Sequence, residues 1–435
     1  EDAMGYRFCL GASGAGKSSE LHKRVTQYAR DALARQDFSV NFLVVVPDQY
    51  TMQTQKEMVL AAGECGGILN VDVLSFGRLS HRIFEEVGAD ESGVLDDIGK
   101  KLLLRRLVSR CRKDLTVLGN GVERPGMIAE IKSVISEFMQ YGITPEGAGN
   151  LAAGAAAGGQ GGLAARLLDL KLLYEAFLEE RKNRYITGEE TLDLLAEAIP
   201  RSGLIRRSIV IFDGFTGFTP VQNRVLLALM QNAREVVFSL DYAEDGGTPI
   251  RSVMQGEAYE EQDLFYLTRK TIAQICKMAG KGGIPHEEDW YIGDETKRAV
   301  PPRFAGNPAL AHLEKSLFRY PVRAYRKDAA ELPVHLVLAS NPAAEVRQMF
   351  RKIHELIAEK GYHYRDFAIV SGNLSAYEDD IRTCAAGMGI PVYLDTNRSV
   401  LQNPLTETIR GALEIGGGDY SYETMFRYLR SGLTG

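Results

Sequence analysis

Residues Gly11, Ala12, Ser13, Gly14, Ala15, Gly16, Lys17 and Ser18 fit the spacing GxxxxGK[ST] without a mismatch, and Ser19 follows them. Three glycines let a loop curl until its backbone N–H groups converge on one anion, at the positive end of the following helix. In such a loop Lys17 reaches the β- and γ-phosphates of a nucleoside triphosphate, and Ser18 offers its hydroxyl to Mg²⁺. The expected ligands are therefore ATP and Mg²⁺. The alternative is a glycine-rich turn that holds nothing.

Holding a triphosphate and cleaving it need different residues. Cleavage needs a carboxylate on a second strand to help hold Mg²⁺ and a further group to orient or deprotonate water. Asp213, which closes the apolar run SIVIFD, is the natural metal-side carboxylate, although Asp is also common in strand-end turns. The next residue is Gly214, which has no side chain with which to act as a base. A substitute could come from elsewhere, for instance Asp241 at the end of the next strand. The expectation is a site that binds ATP and hydrolyses it weakly.

The loop is useful only if a strand leads into it and a helix leaves it. The first ~80 residues alternate RFCL, the loop, SSELHKRVTQYARDALARQ, NFLVVVPD, QTQKEMVLAAG and VDVLSFGRL, the mark of a parallel sheet with crossover helices. Strand signals then vanish from about residue 96 to 195, where MIAEIKSVISEFMQYG places Ile128, Ile131, Ile135 and Phe138 at helical spacing. Within this helical insertion the glycine-rich tract Gly147 to Ala165 reads as a mobile loop. SIVIFDGF and EVVFSLDY resume the sheet. From residue 331, VHLVLAS, FAIVSG and PVYLD read as strands of a second α/β unit, separated by helices such as EVRQMFRKIHELIAEKG.

Composition narrows the classes. At 435 residues the chain is too long for one ordinary core, and 45% hydrophobic with 25% charged residues is ordinary for a globular protein. The formal net charge of -6 means that nucleic acid must be met by a local basic face. No apolar run approaches the ~18 residues of a membrane span, and the chain reads as cytoplasmic with no membrane partner. Five scattered cysteines, without a CxxC pair, and seven unclustered histidines fit reduced thiols and no zinc site. Glu1 to Ala3 before Met4 read as a tag scar, and the ending RSGLTG reads as that of a fragment.

Taken together, LGASGAGKS, VPDQYTMQTQ, VLSFGRLSHRIFEEVG, ISEFMQYGITPE, IFDGFTGFTPVQ, LFYLTRKTI, NPALAHLEKSLF, YHYRDFAIVSGNLSAYEDDI and GIPVYLDTNRSVLQNPL resemble the AddB family, which belongs to the bacterial AddAB helicase-nucleases. The broader similarity is to UvrD-type superfamily 1 helicases. The resemblance implies an α/β, P-loop NTPase (RecA-like) fold: residues 4–95 and 196–330 as a first RecA-like domain, 96–195 as a helical insertion, and 331–435 as the start of a second.

It also implies roles. In those helicases the Asp213 segment reads D-E-x-Q-D-T-N-x-x-Q, so Asp213 and Gln222 keep the end spacing while Gly214 and Thr216 depart from it. Arg269 falls where a Tyr-Arg-Ser segment touches the γ-phosphate. LDYAEDGGTPI lacks the coupling signature expected after the next strand. The family implies double-strand-break repair with an AddA-type partner that supplies the working motor, and contact with single-stranded and broken double-stranded DNA. A nuclease with an iron–sulfur cluster and recognition of the Chi sequence belong to a C-terminal region outside these residues.

The remaining candidates concern DNA. Ser75, Phe76 and Arg78 lie in a helicase segment that approaches the single strand, where Phe76 stacks on a base or, alternatively, is plain core. Gln49 lies in another such segment. KKLLLRRLVSRCRK, with Lys101 and Arg105, is either a phosphate-tracking surface or a solvated helix face. Three rivals stay open: an active superfamily 1 translocase, a P-loop transferase, and a scaffold protein with a vestigial loop.

Overall fold

A computed structural model of the chain describes residues 5–36, 39–63, 70–88, 94–95, 97–121, 125–181, 186–242, 250–256, 260–293, 300–325, 333–396, 400–418 and 420–433. The chain divides into two compact units, residues 1–330 and 331–435.

In the first unit the strands are β1 (Gly5–Gly11), β2 (Asn41–Val45), β3 (Val71–Leu74), β4 (Val94–Leu95), β5 (Ile186–Thr187), β6 (Ser208–Phe212), β7 (Glu235–Asp241) and β8 (Trp290–Tyr291). Six of them form one sheet in the order β3-β2-β6-β7-β1-β8, with every pairing parallel, while β4 and β5 pair separately. This is an α/β fold of the RecA-like kind.

Runs such as FLVV and IVIF lack polar alternation because both faces of the sheet are covered. Phe8, Leu10, Leu43, Val45, Val210, Phe212, Val236 and Phe238 enter one core. Their neighbours Cys9, Phe42, Val44, Ile211 and Val237 enter the other. The period of two along each strand thus fills two separate layers.

The helices of this unit are α1 (Lys17–Ala34), α2 (Thr51–Ala62), α3 (Phe76–Val87), α4 (Asp97–Arg110), α5 (Pro125–Gln140), α6 (Pro145–Ala157), α7 (Gly161–Arg181), α8 (Gly188–Ala198), α9 (Gly203–Arg206), α10 (Pro220–Asn232), α11 (Ile250–Met254), α12 (Tyr266–Gly282) and α13 (Pro308–Ser316). Helices α4, α5 and α7 build a third core in which Ile128, Ile131, Ile135 and Phe138 are all buried, as their spacing predicts. A carboxylate pins this insert. Asp169 on α7 accepts the N–H groups of Thr116, Val117 and Leu118 at 2.8–2.9 Å and the Thr116 hydroxyl at 3.0 Å. Burial pushes its pKa up, but those backbone donors outweigh it and hold the carboxyl below its ordinary value.

The tract Gly147 to Ala165 is not a loop. It forms most of α6 and the start of α7, turning at residues 158–160. Thr144 caps α6 by accepting the Gly147 N–H, and Pro145 preorganises its first turn. Alanine has the highest intrinsic helix propensity, and Ala148 and Ala152 are buried. The glycine penalty is offset by alanine and by packing that a periodicity argument does not see.

The second unit contains α14 (Pro342–Lys360), α15 (Glu378–Met388), α16 (Pro404–Gly416) and α17 (Tyr422–Arg430). Val346, Phe350, Ile353, Ile381, Ala385 and Ile390 form its core. The expected strands VHLVLAS, FAIVSG and PVYLD are not formed: 334–339, 367–371 and 391–396 are unassigned, with Leu336 91% and Val370 93% exposed. A strand exists through its ladder of hydrogen bonds, and among the described residues of this unit no neighbour supplies one. Among the described residues no helix is long and apolar enough to cross a membrane.

Candidate nucleotide site

All six strands of the main sheet are parallel, so their C-terminal ends share one edge, the edge at which open α/β sheets bind ligands. Strand β1 delivers the loop there, β6 delivers Asp213, and β7 lies between them with Asp241 in register with Gly11. The loop leaves β1 after Gly11, and α1 starts at Lys17, with the Gly16 carbonyl accepting the Glu20 N–H at 2.9 Å. Gly14 and Gly16 have φ of +77° and +95°, which side-chain-bearing residues rarely adopt. A Cβ on Gly16 would meet nothing within 4 Å, so glycine is required there by the backbone, and the space above the loop is open.

A cleft of about 270 Å³ lies over this loop. It is lined by Ser13, Gly14, Gly16, Lys17, Ser18 and Ser19 from the loop and α1, by Asp213, Gly214, Phe215 and Thr216 after β6, by Ser239 and Asp241 of β7, and by Arg303. The donor set fits a magnesium-bound triphosphate: backbone N–H groups at a helix start, a lysine, an arginine, a serine hydroxyl and two carboxylates. Gly11 and Ala12 take part through their carbonyls, which accept from Lys17 Nζ at 2.9 and 3.0 Å. The same ammonium donates to Asp241 Oδ1 at 2.5 Å. Ala15 is buried.

Asp213 is 9% exposed, and its N–H donates to Val45 O at 3.1 Å, which extends the β2–β6 ladder to the site. Gly214 then turns the chain at φ +79°. Beneath the cleft, burial, with a smaller contribution from the negative Asp213, pushes the Cys9 thiol up to about 12. His22, one and a half turns into α1, is buried, and its Nδ1 lies 3.8 Å from Glu57. Burial lowers its pKa, while Asp213 and Glu57 oppose that shift.

Other residues singled out in the sequence lie elsewhere. Gln222 sits at the start of α10, where its side chain accepts the Thr219 N–H at 2.9 Å and its own N–H donates to the Thr219 hydroxyl, a reciprocal capping box. Arg269 is buried in α12 and donates to Asp263 at 2.6 Å. Neither lines the cleft. Ser75 is the buried N-cap of α3, accepting the Arg78 N–H, and Phe76 packs on Phe212 and Phe215. Gln49, Arg78, Lys101 and Arg105 are exposed. Most of LDYAEDGGTPI, 243–249, lies outside the described residues, as does Cys65.

Phe215, Ser239 and Arg303 are lining residues that sequence reasoning missed, and Arg303 is the charged one among them. It belongs to a short turn, Pro302–Phe304, whose backbone N–H at Arg303 approaches Gly14 O at 3.4 Å. The Arg303 stem and the Phe304 ring press on Gly14, where an added Cβ would stand 3.0 and 3.1 Å from them. Nothing in the spacing of PPRF signals a place beside the loop, because Gly14 and Arg303 lie more than 280 positions apart in the chain and meet only in the folded structure.

A family model described as ADDB, N-terminal, matches residues 8–314. Among curated proteins the chain is 35% identical over 431 residues to the B subunit of the ATP-dependent helicase/deoxyribonuclease of Lachnoclostridium phytofermentans, covering 99% of this chain and 36% of that protein. It is 35% identical over 433 residues to the protein of the same name from Desulforudis audaxviator, covering 99% and 35%. For that of Symbiobacterium thermophilum the identity is 34% over 431 residues, covering 99% and 36%. The chain thus spans about a third of the length of these relatives. With a family model matched over more than half of its residues, the chain belongs to the AddB N-terminal family.

Proposed function

We propose that this chain is the nucleotide-binding, DNA-engaging N-terminal region of an AddB-type helicase/deoxyribonuclease component, acting with an AddA-type motor in double-strand-break repair. It binds ATP and Mg²⁺ in the cleft over Gly11–Ser18 and turns ATP over weakly. The nuclease and iron–sulfur cluster of the complex belong to the part of the protein beyond this region.

The observation that carries this reading is the convergence of Lys17, Ser18 and Asp213 on one cleft in which the residue after Asp213 is a glycine at φ +79°. Lys17 and the loop N–H groups hold and orient the phosphates. Ser18 and Asp213 would hold Mg²⁺, which when bound neutralises charge on the phosphates. Arg303 adds a cation on the side of Gly14. No carboxylate follows Asp213 to position water, so binding outpaces hydrolysis.

The test is equilibrium ATP binding and steady-state ATPase on one preparation, with and without single-stranded DNA, beside Lys17→Ala. The only tryptophan, Trp290, is a built-in reporter. It lies on β8 next to the loop strand, with the Arg7 and Arg24 guanidiniums 4.8 and 4.4 Å from its ring. Lys17-dependent binding with negligible turnover supports the reading. Robust DNA-stimulated turnover makes the chain a motor, and affinity indifferent to Lys17 makes the loop vestigial.

A further inference from the structure

Lys17 lines the cleft with its ammonium already paired. An ammonium has three N–H donors, and here all three are taken: by Gly11 O at 2.9 Å, Ala12 O at 3.0 Å and Asp241 Oδ1 at 2.5 Å. The lysine side chain is 9% exposed, whereas that of Asp241 is 63% exposed, so the carboxylate closes over the lysine from the solvent side. The parallel register that sets Asp241 opposite Gly11 builds this pairing into the sheet.

The charges of the cleft are balanced before any ligand arrives. Lys17 and Arg303 are offset by Asp213 and Asp241. A triphosphate must take Lys17 away from Asp241 and then share the cleft with the carboxylate left behind. Breaking a pair in a partly desolvated site and placing like charges close together both oppose binding.

Resting on the nucleotide reading above, we infer that Asp241 is an internal competitor for the phosphate-binding lysine, a positioning residue that holds Lys17 in a self-paired state and sets nucleotide affinity. Asp241 stands where a phosphate oxygen would stand toward Lys17, and removing its charge frees the lysine for the ligand. The role differs from that of a metal-holding or water-activating carboxylate, whose loss would weaken binding or turnover.

The experiment is a double-mutant cycle on the whole chain. The dissociation constant of ATP with Mg²⁺ is measured calorimetrically, at fixed ionic strength, for the parent, Asp241→Asn, Lys17→Ala and the double variant. Thermal unfolding of each serves as a fold control. Asp241→Asn is expected to tighten ATP about tenfold, and that gain is expected to shrink when Lys17 is already alanine, because no pair remains to break. Unchanged or weaker binding in Asp241→Asn, with Lys17→Ala still weakening it, overturns the competitor role while leaving the nucleotide reading standing. An equal gain in both backgrounds reduces Asp241 to general repulsion and also overturns the pairing. Affinity independent of Lys17 in every background overturns both readings together.

Discussion

The ring of Phe76 lies 5.8 Å from that of Phe212, the residue immediately before Asp213. Phe76 also meets Phe215 edge-on at 5.7 Å, and Phe212 stacks on Phe238 at 5.4 Å. An aromatic that by motif could stack on a base thus packs on the strand that ends just before Asp213. Phe76→Ala is expected to cost about 2–3 kcal/mol of stability, less than the roughly 3–5 kcal/mol of fully buried aromatic truncations because the ring is partly exposed. Phe76→Leu should recover most of that. Urea unfolding of both variants decides it: if Phe76→Ala is as stable as the parent but binds single-stranded DNA more weakly, the ring is a base platform instead.

Placing a glutamate at 214 should not confer hydrolysis. The backbone there is left-handed, and a side chain at that φ costs roughly 1–2 kcal/mol. The space itself is not the obstacle, since a Cβ would find Pro47 at 3.6 Å and Tyr50 at 3.9 Å, ordinary contacts. Gly214→Ala and Gly214→Glu are expected to share a loss of stability of that size, and Gly214→Glu to remain without appreciable ATPase. A large gain in turnover in Gly214→Glu would show that the backbone readily relaxes to a conformation in which the new carboxylate can position water.

His22 makes stability depend on pH in a definite direction. Its imidazole is buried with its pKa lowered by burial, although Asp213 and Glu57 favour the proton. The unfolded chain therefore binds this proton more readily than the folded one. Its stabilising effect is fully present above the unfolded pKa of about 6.5 and is lost as pH falls through that value toward the lower folded one. Denaturant midpoints of the parent should fall more steeply as pH drops below about 6.5 than those of His22→Gln. Parallel curves would show that the buried site accepts the proton without cost.

The exposed side of α4 carries Lys101 and Arg105, while Arg106 and Arg110 lie near Glu180 of α7. Reversing Lys101 and Arg105 to glutamate should leave stability within about 0.5 kcal/mol, as expected for surface positions. If the helix tracks phosphates, single-strand affinity falls and the slope of log affinity against log salt shrinks by about 0.7 for each phosphate no longer neutralised. Unchanged affinity and slope would return α4 to the role of a solvated helix face.

The amino-acid sequence by itself determined the local features. GASGAGKS between an apolar run and a helix specifies a left-handed loop at a helix start, because only glycine accepts φ of +77° and +95° at low cost. The unbroken apolar runs specify doubly covered parallel strands, and the 3.6-residue spacing of Ile128, Ile131, Ile135 and Phe138 specifies the buried face of a helix. Asp213 and Asp241 were legible as strand ends because each closes such a run.

What tertiary structure alone decided is which distant groups meet. The pairing of Lys17 with Asp241 follows from the parallel register of β1 and β7 across more than 200 residues, and Arg303 reaches Gly14 only through the turn after β8. Arg269 and Gln222 carry residue types suited to phosphate, but packing against Asp263 and a capping box at Thr219 uses them elsewhere. Gly147 to Ala165 is helical because its alanines find a neighbour to pack on, whereas VHLVLAS, FAIVSG and PVYLD stay unpaired because no strand lies beside them among the described residues. Propensity is a local quantity of tenths of a kcal/mol per residue, and the partners that override it are not written next to the residues they act on.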